Sequence, residues 1–456
     1  MYKPIDGGHK MSKRSILNIL FAVLFVFSLT VSCQRADNSG KIVLNVLNYM
    51  DLTSPNLVSE IDFVWTSFLD SNPDIAINRE DLFNEPFHNK VEAYVASGKL
   101  PDVLYVWPSG RSTSLHQKKL LKDLSRLIRQ DGLADSYVPA AIDPVNQGGS
   151  YVAMIPIALT STHAFYINME VLRACGLTPA KTYTELKAQV PVLRGLGYEV
   201  VIMPNKDTWV MQSCLFSMLA GRFGGIGWEE KILSGKAKFT DTDFVNALDF
   251  VRQIYADGVL SNSSLGTAYG DSPGMFATNK GAYMIDGDWR VGTFLTDKTT
   301  GQALLTEDQQ KNIQITVFPD IDGAKINRST SGMLGTGWAM SASIEDGSPK
   351  EDAAWRLIKW LTGKETQANR VETGGVATPV WADLDLSLLN LEPMQAAIGN
   401  LANEYDHSTC VIDGVFHSDV FNPLNDGLAE ISMGTKSPMQ VAVEIQRVFD
   451  NWKNRQ

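Results

Sequence analysis

The sequence predicts an α/β protein of two lobes, and three observations carry that prediction. About 420 residues follow the N-terminal leader of this 456-residue chain, more than one core holds at roughly 100 to 200 residues per domain. Between Ile42 and Trp107 apolar strand patterns alternate with helical ones, which implies a parallel sheet wrapped by helices. The alternation then restarts around Tyr151.

At the N-terminus Lys13 and Arg14 precede an apolar run from Ile16 to Val31. That run is short for a spanning helix and ends in small residues, the pattern of a secretory signal over residues 1–32. Residues 1–10 lack signal character, so Met11 is an alternative start. Leu29-Thr30-Val31-Ser32-Cys33 resembles a bacterial lipobox, with Thr30 where leucine is usual. Such a junction places a diacylglycerol on the Cys33 thiol, and the polar residues 33–41 then serve as a tether. The expected location is outside the cytoplasm, anchored to the cytoplasmic membrane's outer face or held in the periplasm or outer membrane.

Ile42–Leu47 reads as the first strand. Ser54-Pro55 opens a helix with Leu57, Ile61, Val64 and Phe68 on one face, closed by Asn72-Pro73. Ile75 and Ile77 begin a second strand. A helix over about His88–Ser97 stops at Gly98, and Pro101–Trp107 is a third, near-continuously apolar strand. Strands follow at Tyr151–Pro156 and Ala164–Ile167, then a helix capped by Thr182 with Glu185 three residues on; Pro191 should break or kink it before Gly195. Ser348-Pro349-Lys350-Glu351 is a second capping box, opening a helix with Ala354, Trp355, Ile358 and Leu361 on one face and Gly363 as its stop.

A net charge of −11 with 20 % charged and 44 % apolar residues argues against a nucleic-acid partner. Beyond Cys33 only Cys175, Cys214 and Cys410 remain, with no Cys-x-x-Cys and no His-Glu-x-x-His. Neither a disulfide framework, a metal site nor a cofactor is indicated. Gly270-Asp271-Ser272-Pro273-Gly274 matches Gly-x-Ser-x-Gly, but a nucleophile elbow needs a buried strand before the serine. The polar run before it predicts a turn entering a helix.

Five segments carry a family resemblance in order: Asn89–Val103, Gly149–Asn168, Cys175–Tyr183, Asn279–Trp289 and Gly335–Ser341. Together they resemble the family 1 extracellular solute-binding proteins of ABC transporters, the maltose-binding group. Departures are Pro191, Cys175 where alanine is common, and the lack of an aromatic-acidic cluster after Asp51. The resemblance implies a hinged periplasmic-binding-protein-like fold (type II) with the ligand cleft between lobes. Lobe 1 would comprise residues 42–155 plus about 337–378, and lobe 2 about 156–336 plus 379–456. It implies a monomeric, non-enzymatic binder that captures a carbohydrate and delivers it to the membrane subunits of an ABC permease.

Sugars present hydroxyls on their edges and C–H groups on their faces, so a sugar cleft mixes polar groups with aromatic rings. Trp107, Trp209, Trp289 and Trp338 are the expected stacking residues, since each ends a strand or follows a turn-forming segment. Asp51, Thr160, Thr162, Asp286 and His417 are the expected polar contacts, while Trp355 and Trp360 read as packing. Two other functions fit the same leader: a lipid-anchored glycoside hydrolase, whose paired carboxylates have no fixed sequence spacing, and a lipoprotein presenting ligand to a membrane sensor.

Overall fold

In the computed structural model, residues 40–52 and 57–455 are described. The leader, Cys33, most of the tether and the Ser54-Pro55 helix start lie outside these residues. Among the described residues no helix is long and apolar enough to cross a membrane.

Two sheets head the two lobes, with a third between them. The first has five strands, in the order 75–82, 42–49, 103–106, 337–340, 154–156. Its first three strands run parallel, Ile42 opposite Ile75 and Val46 opposite Val103, and the strand 337–340 is antiparallel to both neighbours. Leu44, Val46, Leu47, Val103 and Leu104 are buried in its core, as expected for strands covered on both faces. The second sheet orders its strands 199–202, 281–286, 164–168, 313–316. All six residues of Gly281–Asp286 are buried. The third sheet, 378–379, 158–161, 329–334, 407–409, is built from the continuations of these strands: 154–156 runs on into 158–161, and 329–334 leads through Gly335-Thr336 into 337–340.

The helix Glu85–Ser97 ends at Gly98 in the left-handed conformation, φ 67°. The expected helix after Pro55 has a wider turn in its middle: Leu57–Glu60 and Ser67–Ser71 are α-helical while Ile61–Thr66 is a π-turn. The extra residue per turn rotates the buried face, so Val64, Trp65 and Phe68 are buried while Leu57 and Ile61 pack at its edge. The helix Tyr183–Gly195 contains Pro191 without breaking there. A proline removes one backbone donor, and Val190 and Val192 flank it on a part-exposed face where that loss is tolerated.

Both expected capping boxes are half formed. Thr182 accepts the Glu185 N–H at 3.2 Å, but the Glu185 carboxylate turns to the Lys181 N–H at 2.7 Å. Ser348 accepts the Glu351 N–H at 3.1 Å, while the Glu351 carboxylate takes the Gly347 N–H, Lys122 at 2.7 Å and Arg126 at 2.5 Å. Burial alone would raise the Glu351 carboxyl, but these donors outweigh it and hold it at about 2. The helix Pro349–Thr362 buries Ala354, Trp355, Ile358 and Leu361 against the first sheet. Ser272 is fully buried at the start of the helix Ser272–Ala277, its hydroxyl donating to the Tyr269 carbonyl at 3.2 Å.

Candidate functional site

A cavity of about 230 Å³ opens between the lobes. Tyr49, Tyr105 and Trp107 stand at the ends of the strands 42–49 and 103–106, where ligands of parallel sheets sit. Their rings interlock: Tyr49 stacks on Tyr105 at 5.8 Å between centroids and meets Trp107 edge-on at 4.9 Å. From the second lobe Trp209 lies 5.0 Å from Tyr269 and 6.4 Å from Trp289. Offset and edge-on pairs of this kind hold flat apolar faces in place.

Trp289 is positioned by a relay of polar groups. Its indole N–H donates to the Tyr269 hydroxyl at 2.6 Å, which donates to Asp286 Oδ1 at 3.3 Å. Asp286 is paired at 2.6 Å with Arg290, whose guanidinium lies 3.9 Å over the Tyr269 ring. The ring folds back over Gly287, where an added Cβ would stand 2.3 Å from a ring carbon, so any larger residue would push the indole out of place.

Polar side chains stand among these rings. Asp288 Oδ2 accepts the Ser161 N–H at 2.7 Å, and burial pushes this carboxyl up to about 7. Thr162 Oγ1 donates to the Ser213 carbonyl at 2.9 Å. Ser213 belongs to a π-turn, Gln212–Phe216, a distortion frequent where a helix serves a site. Links across the cleft include the following among the described residues. Arg111 pairs with Asp413; Asn84 donates to Asp207 at 2.9 Å and accepts from Trp209 Nε1 at 3.0 Å; and Ser59 donates to Asp297 at 2.9 Å. Asn84 adopts φ +57°, a value non-glycine residues seldom take. His88 lies 3.2 Å from Arg111, and burial together with that cation pushes it down to about 3.

Two further cavities adjoin the central one. One of about 410 Å³ shares His88, Arg111 and Trp209 with it, and one of about 270 Å³ shares Tyr49, Tyr105 and Trp289.

Residues 65–387 match the family of bacterial extracellular solute-binding proteins. The chain belongs to that family. Among curated relatives it is 21 % identical over 331 residues to the maltotriose-binding protein of Pyrococcus abyssi, covering 71 % of this chain and 63 % of that protein. The match thus spans less than two thirds of that relative's length. Among solved structures, a protein from work on xylan utilization by Caldanaerobius polysaccharolyticus superposes with a TM-score of 0.78 at 21 % identity, over 89 % of this chain and 99 % of that one. The maltose/maltodextrin-binding domain of Bdellovibrio bacteriovorus, bound to maltotriose, gives 0.69 at 17 % identity, over 91 % and 100 %. These likenesses establish the two-lobed fold.

In this solute-binding protein the expected site residues divide by place. Trp107, Thr160, Thr162, Trp209 and Trp289 line the central cavity, and Asp51 borders its 270 Å³ neighbour. Three expected residues stand off the central cavity. Trp338 is 1 % exposed and packs edge-on against Tyr105 at 5.2 Å and Trp65 at 5.7 Å. It sits within the central strand 337–340, almost wholly in the core, and reaches only the margin of the 270 Å³ cavity. Asp286 is fully buried behind the wall, its charge committed to Arg290. His417 caps the helix Ser418–Ser432, its Nδ1 accepting the Asp419 N–H at 3.2 Å and its ring stacking on Trp452. It lines only the 410 Å³ cavity.

Sequence reasoning missed Tyr49, Tyr105, Arg111, Tyr269, Asp288 and Asp413. The strand-end rule that selected Trp107 also finds Tyr49 and Tyr105. Nothing in the sequence links Arg111 to Asp413, which are 302 positions apart.

Proposed function

We propose that this solute-binding protein captures a carbohydrate in the central cavity, closes its lobes over it and delivers it to an ABC permease. The carrying observation is that both lobes supply aromatic faces to one cavity, Tyr49, Tyr105 and Trp107 against Trp209, Tyr269 and Trp289. Only a few fixed polar groups stand among them, the mixture that saccharide faces and edges require. Similar proteins, among them a maltotriose-binding protein and a chitin oligosaccharide-binding protein, support the same ligand class. Closure follows from the third sheet: the segments 158–161 and 329–334 pass between the lobes and are the natural hinge, with lobe 1 built on 42–155 plus about 337–378. The ligand leaves unaltered, the chain acts as a monomer, and Cys33 carries the lipid that keeps the protein outside the cytoplasm at the membrane.

A thermal-shift screen against mono- and oligosaccharides tests this reading, because a ligand that binds only the folded state raises the melting point by mass action. At least one saccharide should raise it and be recovered intact after incubation. A panel without any shift contradicts the carbohydrate reading, and a cleavage product contradicts the non-enzymatic one. Retention of Cys33→Ala in the membrane fraction after signal cleavage would contradict the anchor.

A further inference from the structure

The charge lining of the cleft is one-sided. Among the described residues of the three adjoining cavities stand three cations, Arg111, Lys118 and Arg370, against six carboxylates. Each cation is engaged. Arg111 pairs with Asp413 at 2.7 Å and Arg370 with Glu60 at 2.7 Å, and Lys118 donates to the Val95 carbonyl at 2.9 Å. His88, held neutral by burial and by Arg111, adds no positive charge near pH 7.

Asp288 differs from Asp413, the other carboxylate of the central cavity. It is 5 % exposed, its Oδ2 accepts the Ser161 N–H at 2.7 Å, and among the described residues no lysine, arginine or histidine pairs with it. The nearby Arg290 is taken by Asp286. A buried carboxylate without a counter-charge is costly, and the cost falls when a donor reaches it. Asp288 lines the central cavity, so a ligand there can supply such a donor.

We propose, resting on the carbohydrate reading above, that Asp288 makes the central cavity select uncharged saccharides, accepting a ligand hydroxyl and excluding sugars that carry a carboxylate or phosphate. Above about pH 7, where burial no longer keeps Asp288 protonated, a hydroxyl donating to its ionised carboxylate makes a charge-assisted hydrogen bond, stronger than a neutral one. An acidic sugar brings a further negative charge into a cavity whose one guanidinium is already paired, and like charges in a partly buried site repel more strongly than in water.

The test is calorimetric titration of the full-length protein in detergent at about pH 8.5, where Asp288 is ionised. The probes are D-glucose, D-galactose, D-xylose, maltotriose and chitotriose, with glucuronate, galacturonate and glucose 6-phosphate as acidic counterparts. Wild type should bind a neutral probe at least a hundredfold more tightly than its acidic counterpart. Asp288→Asn keeps an oxygen for the Ser161 N–H; it should weaken the neutral probe at least tenfold and narrow the preference to below tenfold, with no loss of melting temperature. Asp288→Ala should narrow the preference in the same direction, which guards against an amide that rearranges. Acidic binding within tenfold of neutral in wild type, or an unchanged preference in both variants, overturns the role of Asp288 while leaving the carbohydrate reading intact. Absence of binding by every probe overturns both.

Discussion

Arg111 and Asp413 face each other across the cleft, with Asp413 Oδ2 2.8 Å from Nε and 2.7 Å from Nη2 of the guanidinium. Arg111 follows the strand 103–106 of the first lobe, whereas Asp413 lies beside the second lobe's core residue Ile412. The pair is therefore a bond between lobes. Both side chains are largely buried, 16 % and 6 % exposed, so the charges are shielded from salt.

Asp413→Asn should loosen this latch and leave Arg111 short of its counter-charge. We expect a larger radius of gyration for the ligand-free variant by small-angle X-ray scattering. Sugar affinity should be reduced, by about threefold to tenfold, because the binding-competent closed state is less populated. Identical scattering curves for variant and wild type would show that the pair does not hold the lobes together.

Trp338→Ala should behave as a core truncation. Its indole fills the space between Tyr105 and Trp65, so removal leaves a cavity and costs about 3 to 5 kcal/mol of folding free energy. Denaturant melts measure that loss. Unchanged stability with lost sugar binding would return Trp338 to the binding face.

Asp288 makes stability depend on pH in an identifiable direction. Burial raises its carboxyl from 3.8 to about 7 in the folded state, so between those values the folded protein holds a proton that the unfolded chain has released. Stability from this group is fully present below about pH 4 and is lost as pH rises to about 7. Asp288→Asn has no such group. Its stability relative to wild type should therefore climb between about pH 4 and 7, by up to a few kcal/mol, and stay level above. Melts of both proteins across that range check the sign; a constant difference contradicts it.

The first sheet was legible in the sequence because Ile42–Leu47 and Val103–Val106 are apolar runs between clear helix signals. The third sheet was not. Its strand Ser329–Leu334 begins Ser-Thr-Ser, which reads as a loop, yet those three residues are fully buried because their hydroxyls find partners. Thr330 donates to the His163 carbonyl at 2.7 Å and Ser331 bonds Thr162 at 2.7 Å. Hydrogen bonding replaced hydrophobicity as the reason for burial, and periodicity cannot show that. Within the site the tryptophans stood out by type. Trp338 misled because the turn before it says nothing about which side of a central strand its ring faces. Asp288 sat beside Asp286 in the same Asp-Gly-Asp-Trp segment, and only the fold shows that the first aspartate anchors Arg290 while the second lines the cavity.

The most direct test of saccharide capture in the aromatic cavity is calorimetric titration of the best-binding saccharide into wild type and Trp289→Ala. Trp289 is a wall residue held by Tyr269 rather than a core residue, so the account predicts one site in wild type and an affinity loss of about tenfold or more in the variant, with little change in melting temperature. Equal affinity in both proteins, or a variant whose weaker binding is explained by its unfolded fraction, would contradict the account.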